Sequence, residues 1–122
     1  MRFCLLVTLG VLAVGCSGQG AASQDANAPI KIEMSQMYIT VRNHSGLALN
    51  DVSVGIVPVG RATVFNRFLG RLESSESRNI MLSEFVGRDG TPFNLRVVKP
   101  RSVELKGKDV KGQSYDVEVA WR

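Results

Sequence analysis

The sequence predicts an all-β domain of two packed antiparallel sheets, with about six or seven short strands spread over residues 30–122. Three observations carry that prediction. Several runs alternate apolar and polar residues with period two, the pattern of half-buried strands. β-Branched and aromatic side chains fill the apolar positions of those runs. Turn residues punctuate them at short intervals, and no stretch of helix length carries an apolar stripe of helical spacing.

In chain order, the run MYITVRN (37–43) places Met37, Ile39 and Val41 on one face and Tyr38, Thr40 and Arg42 on the other. In DVSVGIVPV the inward set is Val52, Val54 and Ile56. In SRNIMLS, Ile80 and Leu82 oppose Asn79, Met81 and Ser83, and in SVELK the inward pair is Val103 and Leu105. The last run, SYDVEVAWR, sets Tyr115, Val117, Val119 and Trp121 against Asp116, Glu118 and Ala120. NHSG, PVG, ESSES, GRDGTP and KDVKG supply the turns, and KDVKG joins two alternating runs as a hairpin. The best helical candidate, RNIMLSEFVG, is short and ends in glycine, so one turn around residues 83–86 is expected there.

One stretch breaks the pattern. ATVFNRFLGRL (62–72) interleaves Phe65, Phe68, Leu69 and Leu72 with Arg67 and Arg71, and strict alternation cannot bury Phe65, Phe68 and Leu69 together. Either a bulge or covering loop resolves the phase, or one aromatic lies outside. Aromatic side chains among arginines are the usual anchors of a protein interface, so Phe65, Arg67, Phe68 and Arg71 are the candidate partner surface.

The stretch ITVRNHSGLALNDVSVGI resembles the first hairpin of bacterial immunoglobulin-like or fibronectin-like domains. There an alternating strand ends in Asn, a Ser-Gly turn follows, and Leu-x-x-Val-x-Val opens the next strand. The resemblance implies an immunoglobulin-like β-sandwich. It implies no activity, because this architecture carries many unrelated ones.

The N-terminus has its own logic. Arg2, an apolar run from Phe3 to Val14 and a closing Gly15 make the three-part layout of a secretory signal peptide at 1–15. The apolar run is shorter than the ~20 residues of a membrane-spanning helix. LAVGC (12–16) resembles a bacterial lipobox, which implies that Cys16 becomes the first residue of the mature chain and carries acyl groups. Two or more chains hold a protein stably on a bilayer where one does not. Ordinary cleavage after Ala-Val-Gly would instead leave a soluble chain. Of the two cysteines, Cys4 leaves with the leader, so no internal disulfide can form, and acylation disposes of an otherwise unpaired thiol at Cys16. Residues 16–29 are then a lipidated cysteine and a Gly/Ala/Ser/Asn/Gln tether, too poor in large apolar residues to fold. Its reach is about 20 Å. Ser17 after the cysteine resembles the sorting signal for the outer membrane of a Gram-negative cell, facing the periplasm.

The inventory for chemistry is thin. The single histidine, His44, stands in a turn beside Ser45 and Gly46, which is no triad. The carboxylate pairs Glu73/Glu76 and Asp116/Glu118 lie in a serine-rich loop and on an outward strand face. GRDGTPF precedes no helix and so makes no phosphate loop. No catalytic residue, cofactor or small-molecule substrate is expected, and the chain is read as a non-enzyme. MSQM (34–37) resembles the methionine pairs of periplasmic copper carriers, because soft thioethers select Cu(I). An alternative function is therefore a copper carrier using Met34 and Met37; the bland account is that both fill core gaps.

The sequence carries 15 basic and 11 acidic side chains, a formal charge of +4 that falls by one when Arg2 is removed. The basic residues are spread out, with no basic-aromatic pattern of a nucleic-acid reader, and none is expected as a partner. The expected partners are membrane lipid, through acylated Cys16, and another component of the cell envelope.

Overall fold

The computed structural model describes residues 28–60 and 63–122; the signal peptide, Cys16 and all but the last two residues of the tether lie outside them. Seven strands follow one another: β1 (Ile30–Met34), β2 (Tyr38–Asn43), β3 (Leu49–Pro58), β4 (Phe65–Leu72), β5 (Ser77–Met81), β6 (Pro100–Asp109) and β7 (Ser114–Ala120). They form two antiparallel sheets, ordered β1-β2-β5 and β4-β3-β6-β7. This is the all-β sandwich expected from the sequence. A single 3-10 turn, Leu82–Glu84, is the one helical element among the described residues.

The sheets face each other across one core. Ile30, Ile39, Val41 and Ile80 project from the three-stranded sheet, and Leu49, Val52, Val54, Ile56, Leu72, Val103 and Leu105 from the four-stranded one. Each buried aliphatic side chain contributes about 1.5–3 kcal/mol relative to an exposed one. Period two therefore decides which face of each strand turns inward. Tyr115, Val117 and Trp121 are half-buried at the margin, and Val119 is buried. The N-terminal strand IKIEM, whose Ile30 and Ile32 enter the core, is an element the turn-punctuated pattern does not single out.

Two expectations are corrected, and a third, left open between alternatives, is resolved. The stretch from Ile39 to Ile56 is not a hairpin: β2 pairs with β1 and β5, and β3 pairs with β4 and β6, so the chain crosses between sheets at residues 44–48. Asn43 makes that corner. Its fully buried amide donates to the carbonyls of Leu47 at 2.7 Å, Leu72 at 3.2 Å and Glu73 at 3.1 Å, and its oxygen accepts the Ser45 N–H at 2.9 Å. The second correction is Met37, which lies just before β2 and is 64% exposed, not inward. The third is the phase of β4, where both remedies operate at once. Val52 pairs with Gly70 and Ser53 with Phe68, so Leu69 is an extra residue in the ladder. That bulge returns Leu72 to the core while Phe68 stays outside, 64% exposed.

A second bulge lies in β3 itself. Its registers with β4 and β6 both slip by one residue around Asp51, whose φ of 54° is left-handed. The slip lets Leu49 and Val52, three apart, both face the core.

Candidate functional site

Strand direction divides the molecule into two poles. The described chain enters at one, where the Pro29 carbonyl accepts the His44 N–H at 2.7 Å, beside the 44–48 crossover and the β4–β5 and β6–β7 turns. At the other lie the end of β1, the start of β2 and the connection from β5 to β6, residues 82–99. Connections of that length without regular structure are uncommon in compact domains and are often functional.

Residues 82–99 hold their shape through their own hydrogen bonds. Phe93 N–H donates to the Phe85 carbonyl at 2.8 Å and Gly87 N–H to the Thr91 carbonyl at 2.9 Å. Asn66 and Val86 exchange backbone bonds at 2.9 and 3.1 Å, which fastens this loop to the edge of β4. The Asp89 carboxylate accepts the Thr91 N–H at 3.0 Å, and that bond, with the Thr91 side chain, holds its pKa below the ordinary value. The Asn94 carbonyl accepts from both Val97 and Val98, making one further turn.

Between this connection and the residues before β2 runs an apolar groove of about 670 Å³. Met37, Phe65, Phe93, Leu95, Val97 and Val98 line it. Phe65 and Phe93 meet edge to face, with centroids 5.3 Å apart and planes at 77°. Val97 is 79% exposed and Met37 64%, so the open side of the groove is apolar.

The four arginine and phenylalanine candidates do not share one surface. Phe65 forms a groove wall. Arg67, opposite Val54 on the inward face of edge strand β4, pairs with Glu84 at 3.2 Å. Phe68 points out from the other face into a cleft with Val64, Val86 and Arg88. Arg71 is tied to Glu73 and to the Asn50 side chain, 3.1 Å away.

The two candidate methionines differ in burial. Met34 packs half-buried against the core and Met37 borders the groove, whereas His44 sits at the opposite pole, beyond the far end of β2. At about 3.3 Å per residue that is roughly 20 Å. No group of three or more His, Cys, Asp or Glu able to hold a metal occurs among the described residues.

What sequence reasoning missed is PFNLRVV, residues 92–98, which builds much of the groove. Its signal was misleading: Phe93, Leu95 and Val97 alternate with Asn94 and Arg96 as in a strand, yet residues 95–97 form a turn inside a long connection. No protein-family model, curated protein or solved structure matches the chain at a significant level.

Proposed function

We propose that the chain is a lipid-anchored cell-envelope protein that works without catalysis, as a binding or accessory module for another envelope component. In this reading Cys16 is acylated, the tether holds the sandwich near the bilayer, and confinement raises the local concentration of the domain for its partner. If the cell is Gram-negative, the site of action is the periplasmic face of the outer membrane. The binding site is the apolar groove.

The observation that carries the reading is the placement of that groove. It lies at the pole away from Ala28 and Pro29, so a tether leaving the domain there would leave the groove facing away from the anchoring surface. Its composition supports binding over chemistry: apolar walls, a few polar rim groups and a volume within the ~300–1,000 Å³ common for ligand sites.

Two measurements test it. Mass spectrometry of the processed chain should show an N-terminal, acylated Cys16, and Cys16→Ala should move the protein from the membrane to the soluble fraction. A photoreactive residue at Val97 should give a discrete adduct in intact cells, and one at Gln113, on the opposite pole, should not. An unmodified N-terminus, unchanged fractionation or equal labelling at both positions would overturn the proposal.

A further inference from the structure

We infer that the groove takes a single-chain anionic amphiphile, with a hydrocarbon tail along the apolar walls and a carboxylate or phosphate at Arg96. The inference deepens the binding-module reading by naming its ligand class; it does not depend on acylation of Cys16.

Charge complementarity is the first argument. Among the described residues that line the groove, Arg96 is the one charged side chain. It makes no ion pair within the described residues. The acids of the connection that carries Arg96 are engaged elsewhere, Glu84 with Arg67 and Asp89 with the Thr91 N–H. A lone unpaired guanidinium beside apolar walls attracts an anionic head and disfavours a cationic one.

The backbone supplies the second argument. An extended peptide binding by strand addition needs a free strand edge. Here the edge of β4 at Asn66 is already bonded to Val86, and the connection uses its polar groups in its own turns at Gly87–Thr91 and Asn94–Val98. The walls therefore offer hydrocarbon contact with little main-chain pairing. A tail of methylene groups asks for nothing else, at about 0.8 kcal/mol per buried CH₂.

Shape agrees. Phe65 and Phe93 form a fixed aromatic wall, while Met37 and Val97, 64% and 79% exposed, form the open side that a tail would cover.

The test is calorimetric titration of the full chain carrying Cys16→Ala, which cannot be acylated, with dodecanoate and with dodecyltrimethylammonium. The tails match and the heads differ in sign. Saturable 1:1 uptake of dodecanoate is expected, at least about tenfold tighter than the cation. Arg96→Gln should weaken dodecanoate about tenfold, and Val97→Asp should abolish saturable uptake, whereas Arg101→Gln, outside the groove, should change neither. Arg96 and Val97 are exposed, so these variants should remain folded. Absence of uptake, equal affinity for both heads, or an unaffected Arg96→Gln would overturn the inference. A protein adduct at Val97 without dodecanoate uptake would overturn it alone and leave the binding-module reading standing.

Discussion

The side-chain amide of Asn43, at the end of β2 in one sheet, donates to the carbonyl of Leu72, at the end of β4 in the other, at 3.2 Å. The same nitrogen reaches Glu73 at 3.1 Å and Leu47 at 2.7 Å. One fully buried side chain, from the three-stranded sheet, thus satisfies backbone groups of the other sheet, of the β4–β5 turn and of the crossover. Its own backbone adds a bond to the same turn, since the Asn43 carbonyl accepts the Ser75 N–H at 2.8 Å.

Asn43→Leu keeps the volume but removes the donor to the Leu72 and Glu73 carbonyls and the acceptor of the Ser45 N–H. The Leu47 carbonyl keeps the Ser45 hydroxyl at 3.0 Å. Of these sites the Leu72 one is buried and the others part-buried. Each unsatisfied buried group costs about 1–3 kcal/mol, and relaxation toward water recovers part of that. The expected loss is about 2–4 kcal/mol, read as a lower urea midpoint with an unchanged slope. A loss below about 0.5 kcal/mol, the level of an ordinary surface change, would show that the corner does not depend on this amide.

How far the sequence reveals the fold follows from the range of each contact. Val52, Val54 and Ile56, or Val103 and Leu105, are buried because period two is a local property, and it is legible in any single strand. The corner at Asn43 is not legible in that way. A hairpin and a crossover share the same strand–turn–strand pattern, and what separates them here are bonds to residues 29 and 30 positions along the chain. Residues 92–98 escaped for a related reason: Phe93, Leu95 and Val97 alternate with Asn94 and Arg96 as a strand would, but the turn closed by the Asn94 carbonyl, not the period, sets their conformation. Phe65, Arg67, Phe68 and Arg71 were legible as an anomaly, but the Leu69 bulge decides which way each one points.

The bulge gives the next prediction. Gly70, directly after Leu69, has φ of 80°, in the left-handed region where a Cβ is strained. Open space is not the obstacle, since an added Cβ would approach the Phe68 ring no closer than 3.7 Å. Gly70→Ala should therefore cost about 1–2 kcal/mol through backbone strain alone. Gly70→Asn, which tolerates this region better, should recover part of the loss. Equal thermal shifts for the two variants would argue that packing, not φ, is at work.

Arg78 closes the side of the sandwich where β4 and β5 are both edges. From β5 its guanidinium donates to the carbonyls of Leu69 at 3.3 Å and Arg71 at 3.0 Å, both on β4. These carbonyls would otherwise template pairing with another chain. Arg78→Met should destabilise the domain by about 1–3 kcal/mol. It should also speed amide exchange in β4 and make sedimentation concentration-dependent. A variant that is less stable yet strictly monomeric would confine the role of Arg78 to stability.

Glu76 ties this seam to pH. Its carboxylate accepts the Glu73 N–H at 2.8 Å and an Arg78 N–H at 2.9 Å. The backbone bond first, and then the guanidinium, hold its pKa below the ordinary 4.5, against a smaller opposing effect of burial. A depressed value in the folded state means that the stabilisation is fully present above pH 4.5 and is lost as pH falls through the folded value. The side chain is 33% exposed, so solvent screening keeps the contribution modest, below about 1 kcal/mol. Glu76→Gln should accordingly lower the urea midpoint at pH 7 and lower it by less at about pH 3, below the ordinary value of 4.5. An equal deficit at both pH values would mean that the carboxylate acts through shape and hydrogen bonding alone, and that its charge contributes nothing to the seam.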